Sequence, residues 1–277
     1  MSLDIQSGIL RPKIDMHCHV WQMPDWEGSS DHLVACGEML GITELWCSSP
    51  IQNGLLAPCE EVRIQNDAVL GAMARHPKRI RGMCFLIPGH FQDAIDEAER
   101  CLDAGMIGIK LYNQYRLRDP VVDPVLELAV ERGVPVLEHA GYPSPEHRAR
   151  QPLMSDGEDF VIASEKHPDA MLIHAHIGGG GDWEWTVKTM RDASPNVYID
   201  TSGSNLDDGQ IEYAVSELGA ERVLFGTDGT MAGSVGKVLD AKLTEEEREL
   251  IFWGNAERML SAQGAKPTEL RAEGSGK

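Results

Sequence analysis

The chain has 277 residues, of which 42% are hydrophobic and 25% charged, and it carries a formal net charge of -19. This length suits one α/β barrel, and the composition is that of an ordinary soluble globular protein. The acidic balance argues against nucleic acid or an anionic membrane as a partner. No apolar run approaches the ~18 residues of a membrane helix, and the N-terminus shows no positive-then-apolar signal pattern. A cytoplasmic protein is expected. The six cysteines, Cys18, Cys36, Cys47, Cys59, Cys84 and Cys101, are spread thinly without a C-x-x-C pair, which fits free thiols in a reduced compartment.

Short apolar runs recur at 14–20, 43–47, 82–87, 107–112, 134–139, 171–177, 197–201 and 222–226. Most are followed within two residues by Gly, Pro, Ser, Asn or Asp, the pattern of a buried strand running into a loop. Helical patterns lie between them, at 61–75, 91–102, 122–130, 160–166, 185–191 and 210–218. Their ends coincide with Gly or Pro breaks. Residues 243–260 read as a closing helix or two, with Thr244 as N-cap and Glu247 three residues on. Strand–helix alternation with eight strands predicts a (β/α)8 TIM barrel. It is expected to occupy residues 1–265 as a single domain, with 266–277 as a polar, flexible tail. An open doubly wound sheet would need a Gly-rich turn after the first strand; the chain has His-Cys-His there.

The chemistry collects at the strand ends. His17 and His19 close the first strand and, by strand alternation, share a face. His139 closes the fifth strand, His174 and His176 the sixth, and Asp228 the eighth. Barrel active sites are built at this C-terminal face. Buried histidine is costly unless its nitrogens are paired, so packing is a poor explanation for five histidines gathered there. Alternation also places His174 on the face of His176 but deeper, as a support from below.

The set His17-x-His19, His139, His176 and Asp228 resembles the amidohydrolase superfamily, in its amidohydrolase-related branch of aminocarboxymuconate-semialdehyde decarboxylase-like enzymes. The resemblance covers nearly the whole chain, including GIKLY at the fourth strand, HIGGG after the sixth and the closing LTEEERELIFWGNAERML. It implies His17, His19, His139 and Asp228 as ligands of one divalent metal, most naturally zinc, with His176 and Asp228 catalytic. Such a metal lowers the pKa of its water to about 7. Asp228 would then move the proton, and His176 would polarise a carbonyl. Lys110 in GIKLY leaves two versions open. A carboxylated Lys110 would bridge two metals, with His176 at the second ion and His174 a further candidate there or at the substrate; otherwise Lys110 is a buried cation facing a substrate anion or a carboxylate such as Glu138. The mononuclear version is preferred.

Loops after several strands supply Trp21, Tyr112, Tyr142, Arg116 and Arg148 as candidate contacts to a small, carboxylated substrate. Asp200, Thr201 and Ser202 end the seventh strand as further hydrogen-bonding groups. The leading expectation is hydrolysis of a small amide, lactam or lactone. The alternatives are non-oxidative decarboxylation of an aromatic or unsaturated acid, and a non-catalytic metal-binding barrel. A homodimer is implied by the resemblance alone.

Overall fold

A computed structural model describes residues 5–21, 25–52, 54–177, 181–203 and 205–264. The expected tail at 266–277 lies outside these residues, as do Gly178, Gly179 and Gly180 of the glycine run. Eight strands follow one another in a single parallel order: β1 (Lys13–His19), β2 (Ile42–Ser48), β3 (Ile80–Phe85), β4 (Gly108–Leu111), β5 (Val136–His139), β6 (Leu172–Ala175), β7 (Val197–Asp200) and β8 (Val223–Leu224). Two backbone bonds join the first strand to the last, Met16 N to Phe225 O at 3.0 Å and Asp228 N to His17 O at 2.7 Å. The architecture is the expected (β/α)8 barrel.

Two apolar layers hold it. One takes side chains from seven of the strands, among them Met16, Trp46, Met83, Leu137, Ile173 and Leu224, with Ile107 just before β4, and is closed by Ala256, Met259 and Leu260 of the last helix. This is the barrel lumen. The other, larger layer includes Leu45, Ile109, Val136, Leu172 and Ile199 against helix residues such as Val69, Ala98 and Phe160, and lies between sheet and helices. Burial of this kind contributes about 25 cal/mol per Å² of apolar surface.

The closing segment begins as expected. Thr244 caps the helix Glu245–Glu249, with a reciprocal Glu247 capping box. It then widens into a π-helical turn over Leu250–Gly254 before the helix Asn255–Ala262. The widened turn lets Ile251 O accept the N–H of Phe225 at 3.0 Å, so it serves the short β8 where strand pairing runs out. Beyond the short Ile5–Leu10 and Pro145–Arg150, two longer helices, Trp26–Met39 and Met231–Asp240, have no counterpart in the sequence reading. Each carries two internal glycines, which weaken its helical signal. The first nevertheless buries Ser30, Leu33, Val34 and Gly37, a stripe at helical spacing. Among the described residues no helix is long and apolar enough to cross a membrane, and all six cysteines are free.

Candidate active site

Two local departures from regular strand geometry build the site. In β1, three residue steps from Asp15 to Cys18 face two steps on β2, from Leu45 to Cys47. This bulge resets the alternation. Met16 belongs to the lumen, Cys18 to the helix-facing layer, and His17 and His19 both aim into the barrel mouth. Asp15 stays behind the sheet, where it accepts from Thr227 Oγ1 at 2.6 Å and from Cys18 Sγ at 2.7 Å. It thereby ties β1 to the turn after β8. Burial pushes its carboxyl up to about 6, against the pull of these hydrogen bonds.

The second departure is a left-handed backbone at two site residues, His176 at φ 66° and Asp228 at φ 48°. Non-glycine residues seldom adopt this region, and where they do they cluster at functional sites. At His176 it overturns an expectation. Leu172 faces the helices and Ile173 the lumen, so His174 faces the helices again. Its ring lies 4.8 Å from that of Phe160, in the helix Gly157–Lys166, and neither of its nitrogens has a hydrogen-bond partner. His176 is turned to the other side by its left-handed backbone. His174 is therefore no support beneath the site and no second-metal or substrate group; the alternation that placed it with His176 breaks between them.

The cluster is compact. His19 Nε2 lies 2.9 Å from Asp228 Oδ1, and His17 Nε2 lies 3.8 Å from the same oxygen. His176 Nε2 stands 3.9 Å from Asp228 Oδ2 and 3.2 Å from His139 Nδ1. Asp200 supports it from β7: Oδ2 is 2.8 Å from His17 Nδ1, while Oδ1 accepts the backbone N–H groups of His176 and Ser202 at 2.9 and 2.8 Å. Ser202 Oγ is 2.8 Å from His176 Nδ1, and Ser48 Oγ is 3.1 Å from His19 Nδ1. Lys110 Nζ lies 3.3 Å from His17 Nε2. Its expected partner Glu138 instead accepts from Ser155 Oγ at 2.9 Å and leaves Oε2 unbonded.

Burial lowers the imidazole pKa of His19 to about 4 and of His176 to about 3, and holds His139 well below the usual histidine range. These rings are neutral at pH 7 and offer lone pairs. Burial also lowers Lys110, to about 8, against the attraction of Asp228, Asp200 and Glu138. For Asp228 burial acts upward, but the His19 hydrogen bond and the neighbouring His17 and His176 imidazoles outweigh it and keep the carboxyl well below its ordinary value. Asp228 is also the group that opens to the mouth, with 33% of its side chain exposed against 7% for His19 and 1% for His17.

A divalent cation fits these residues. Among the described residues, ligand atoms of His17, His19 and Asp228 lie within 4.8 Å of one another, as do those of His17, His176 and Asp200. His139 joins neither group directly. It adjoins them through His176, and its Nε2 is buried with no hydrogen-bond partner. An orphaned imidazole nitrogen beside such a cluster is the feature a cation would satisfy.

The expected substrate contacts divide. Tyr112 stacks on His139, centroids 4.1 Å apart and planes 16° from parallel, and Trp21 lies 4.9 Å from His19. These two rings wall the cluster. Tyr142 packs instead on Trp185 at 4.2 Å, with Arg148 over its ring at 5.2 Å. The arginines are committed elsewhere. Arg116 pairs with Asp159 at 3.1 Å and donates to Pro152 O, while Arg148 reaches Asp156 at 3.4 Å. Buried carboxylates of the helix Gly157–Lys166 and its cap hold them, so neither guanidinium serves the cluster. The sequence reading passed over Ser48 and the Asp15–Thr227 tie. Their only sequence signal is a place at a strand end.

The amidohydrolase family model matches residues 56–261, beginning after the strand that carries His17 and His19. The gamma-resorcylate decarboxylase of Polaromonas sp. is 24% identical over 254 residues, covering 73% of this chain and 76% of its own. Among solved structures, 2,6-dihydroxybenzoate decarboxylase from Rhizobium superposes with a TM-score of 0.73 at 17% identity, over 91% of this chain and 99% of its own. A dihydroxybenzoic acid decarboxylase from Polaromonas sp., with bound manganese and the inhibitor 2-nitroresorcinol, gives a TM-score of 0.70 at 19% identity, over 91% of this chain and 97% of its own. The chain belongs to the amidohydrolase superfamily of enzymes, in its amidohydrolase-related branch.

Proposed function

We propose that the protein is a metal-dependent, non-oxidative decarboxylase of a small hydroxyaromatic acid. The observation that carries this reading is the similarity to gamma-resorcylate decarboxylase along 73% of the chain. It favours the decarboxylase alternative over hydrolysis of an amide, lactam or lactone. The site supports it with two aromatic walls, a buried cation and one partly open carboxylate. His17, His19, His139 and Asp228 are the proposed metal holders, and their nitrogen and oxygen donors suit zinc and manganese alike. A metal held there would supply Lewis-acid polarisation of a substrate oxygen.

The chain's own groups do the rest. Trp21 and Tyr112 confine the substrate ring between them. Lys110, whose Nζ lies against His17 and unbonded to Glu138, balances the charge of the substrate carboxylate. That role needs a free ammonium, so the proposal keeps one metal per chain rather than a carboxylated Lys110 bridge. Asp228, held ionised and open to the mouth, accepts the proton of the substrate hydroxyl and returns it to the ring carbon bearing the carboxylate. The bond from that carbon to the carboxylate then breaks, its electrons return to the ring and its oxygen, and carbon dioxide leaves. A solvent proton restores the hydroxyl. His176 Nε2, 3.9 Å from Asp228 Oδ2, stands beside that transfer as an acceptor.

The test is carbon dioxide release from a panel of mono- and dihydroxybenzoates by enzyme loaded with manganese or zinc, set against a chelated control. Release in proportion to the decarboxylated phenol supports the reading. Cleavage of lactones or amides by the same preparation, with no carbon dioxide from any acid of the panel, would restore the hydrolytic one.

A further inference from the structure

The hydroxyl of Ser202 has more neighbours than it has protons. Its Oγ lies 2.5 Å from Asp200 Oδ1, 2.8 Å from His176 Nδ1 and 3.1 Å from His17 Nδ1. It carries one hydrogen, so at most one of these contacts is a donation by Ser202. Asp200 Oδ1 already accepts from two backbone N–H groups, those of His176 and Ser202. An oxygen in that position accepts, and the shortest contact is the hydroxyl's donation to it. Ser202 Oγ then has no hydrogen left for either imidazole, and toward His176 Nδ1 it can only accept.

The consequence passes along the cluster. His176 Nδ1 must carry its hydrogen, and His176 Nε2 is a bare lone pair. That lone pair faces His139 Nδ1 at 3.2 Å, so His139 must be protonated at Nδ1 and bare at Nε2. The Nε2 of His139 is the buried nitrogen with no hydrogen-bond partner. His17 follows the same logic. Its Nδ1 donates to Asp200 Oδ2 at 2.8 Å, leaving Nε2 to accept from the Lys110 ammonium at 3.3 Å. An ammonium has donors only, so the two ends of this account agree independently.

We infer that Ser202 is a positioning residue that fixes the tautomers of His176 and, through it, His139, so that the Nε2 lone pair of His139 is free to bind a cation. Ser202 touches neither substrate nor cation in this account. It acts by deciding where two protons sit. The inference rests on the assignment of His139 as a ligand, but not on which acid, if any, is decarboxylated.

The test is the side-chain nitrogen spectrum of the metal-free protein, with His139 and His176 assigned by single substitution. The wild type is expected to show both rings protonated at Nδ1. In Ser202→Ala the proton of His176 loses its acceptor and moves to Nε2, which turns His139 over to its Nε2-protonated form. Manganese affinity, measured by titration into the same metal-free protein, should weaken by about tenfold or more, the range found when partners of metal-binding histidines are removed. Ser202→Thr keeps the hydroxyl and should restore both the tautomers and the affinity. Circular dichroism matching the wild type shows that the alanine variant is folded. If it is not, the wild-type spectrum and the threonine variant carry the test alone. A wild-type spectrum with His139 or His176 protonated at Nε2, or an alanine variant with unchanged tautomers, would overturn the inference. A wild type with the expected tautomers and normal metal affinity but no turnover on any hydroxybenzoate would count against the proposed function alone.

Discussion

Replacing His174 by leucine separates the site from the layer behind it. His174 is fully buried against Phe160, with both ring nitrogens unbonded. An unsatisfied buried polar group costs about 1–3 kcal/mol, and leucine removes two such atoms. The gain at pH 7.5 is set at roughly 1 kcal/mol, since the packing against Phe160 also changes. A second contribution depends on pH. Burial lowers the folded-state pKa of His174 from 6.5 to about 4. The unfolded chain therefore binds a proton that the folded chain refuses, and stability falls as pH drops from about 6.5 toward about 4. At about 1.4 kcal/mol per unit, the loss by pH 5 is on the order of 2 kcal/mol. His174→Leu abolishes it. Urea unfolding of the metal-free wild type and variant at pH 7.5 and pH 5 reads the difference, because every other histidine contributes equally to both. The variant is expected to be more stable at both values, with the larger margin at pH 5, and to keep decarboxylase turnover within a few-fold of the wild type. A variant less stable than the wild type at pH 5, or one that loses most of its turnover, would refute the placement of His174 in the helix-facing layer.

A Cβ at Gly226 would stand 3.0 Å from His17 Cβ and 3.1 Å from Asp200 Cγ. Gly226→Ala is thus expected to weaken metal binding by about tenfold while leaving the circular dichroism spectrum unchanged. Arg116→Ala breaks the contacts to Asp159 and Pro152 and should lower unfolding stability by about 1–3 kcal/mol with KM unaltered; a large rise in KM would return Arg116 to the substrate site. His139→Ala should empty the chain of metal, whereas His176→Asn should keep metal and lose most turnover, as elemental analysis alongside kinetics will show. Tyr112→Leu removes the ring stacked on His139 and should raise KM more than it lowers kcat.

The strands were legible because each is a short apolar run with a polar stop, and all eight occur where those runs lie. The positions proposed as ligands stood out for the same reason, since they lie at or just past strand ends. What escaped were features decided by single backbone torsions or by distant partners. The bulge in β1 and the left-handed φ of His176 break the period-two rule, and no neighbouring residue announces either. Strict alternation therefore misplaced His174. Arg116 looked available because Asp159, its partner, lies 43 residues away. Ser202 was visible as a polar strand end, but its position between two imidazoles and a carboxylate exists only once β1, β6 and β7 meet.

The arrangement on which the account depends is a cation held by His17, His19, His139 and Asp228. Elemental mass spectrometry on protein purified without chelators, comparing the wild type with His139→Ala, tests it most directly. About one equivalent of a divalent metal per chain in the wild type, and little in the variant, is the predicted result. About two equivalents would point to a bridging, carboxylated Lys110, and a chain that stays metal-free even after supplementation would contradict the account outright.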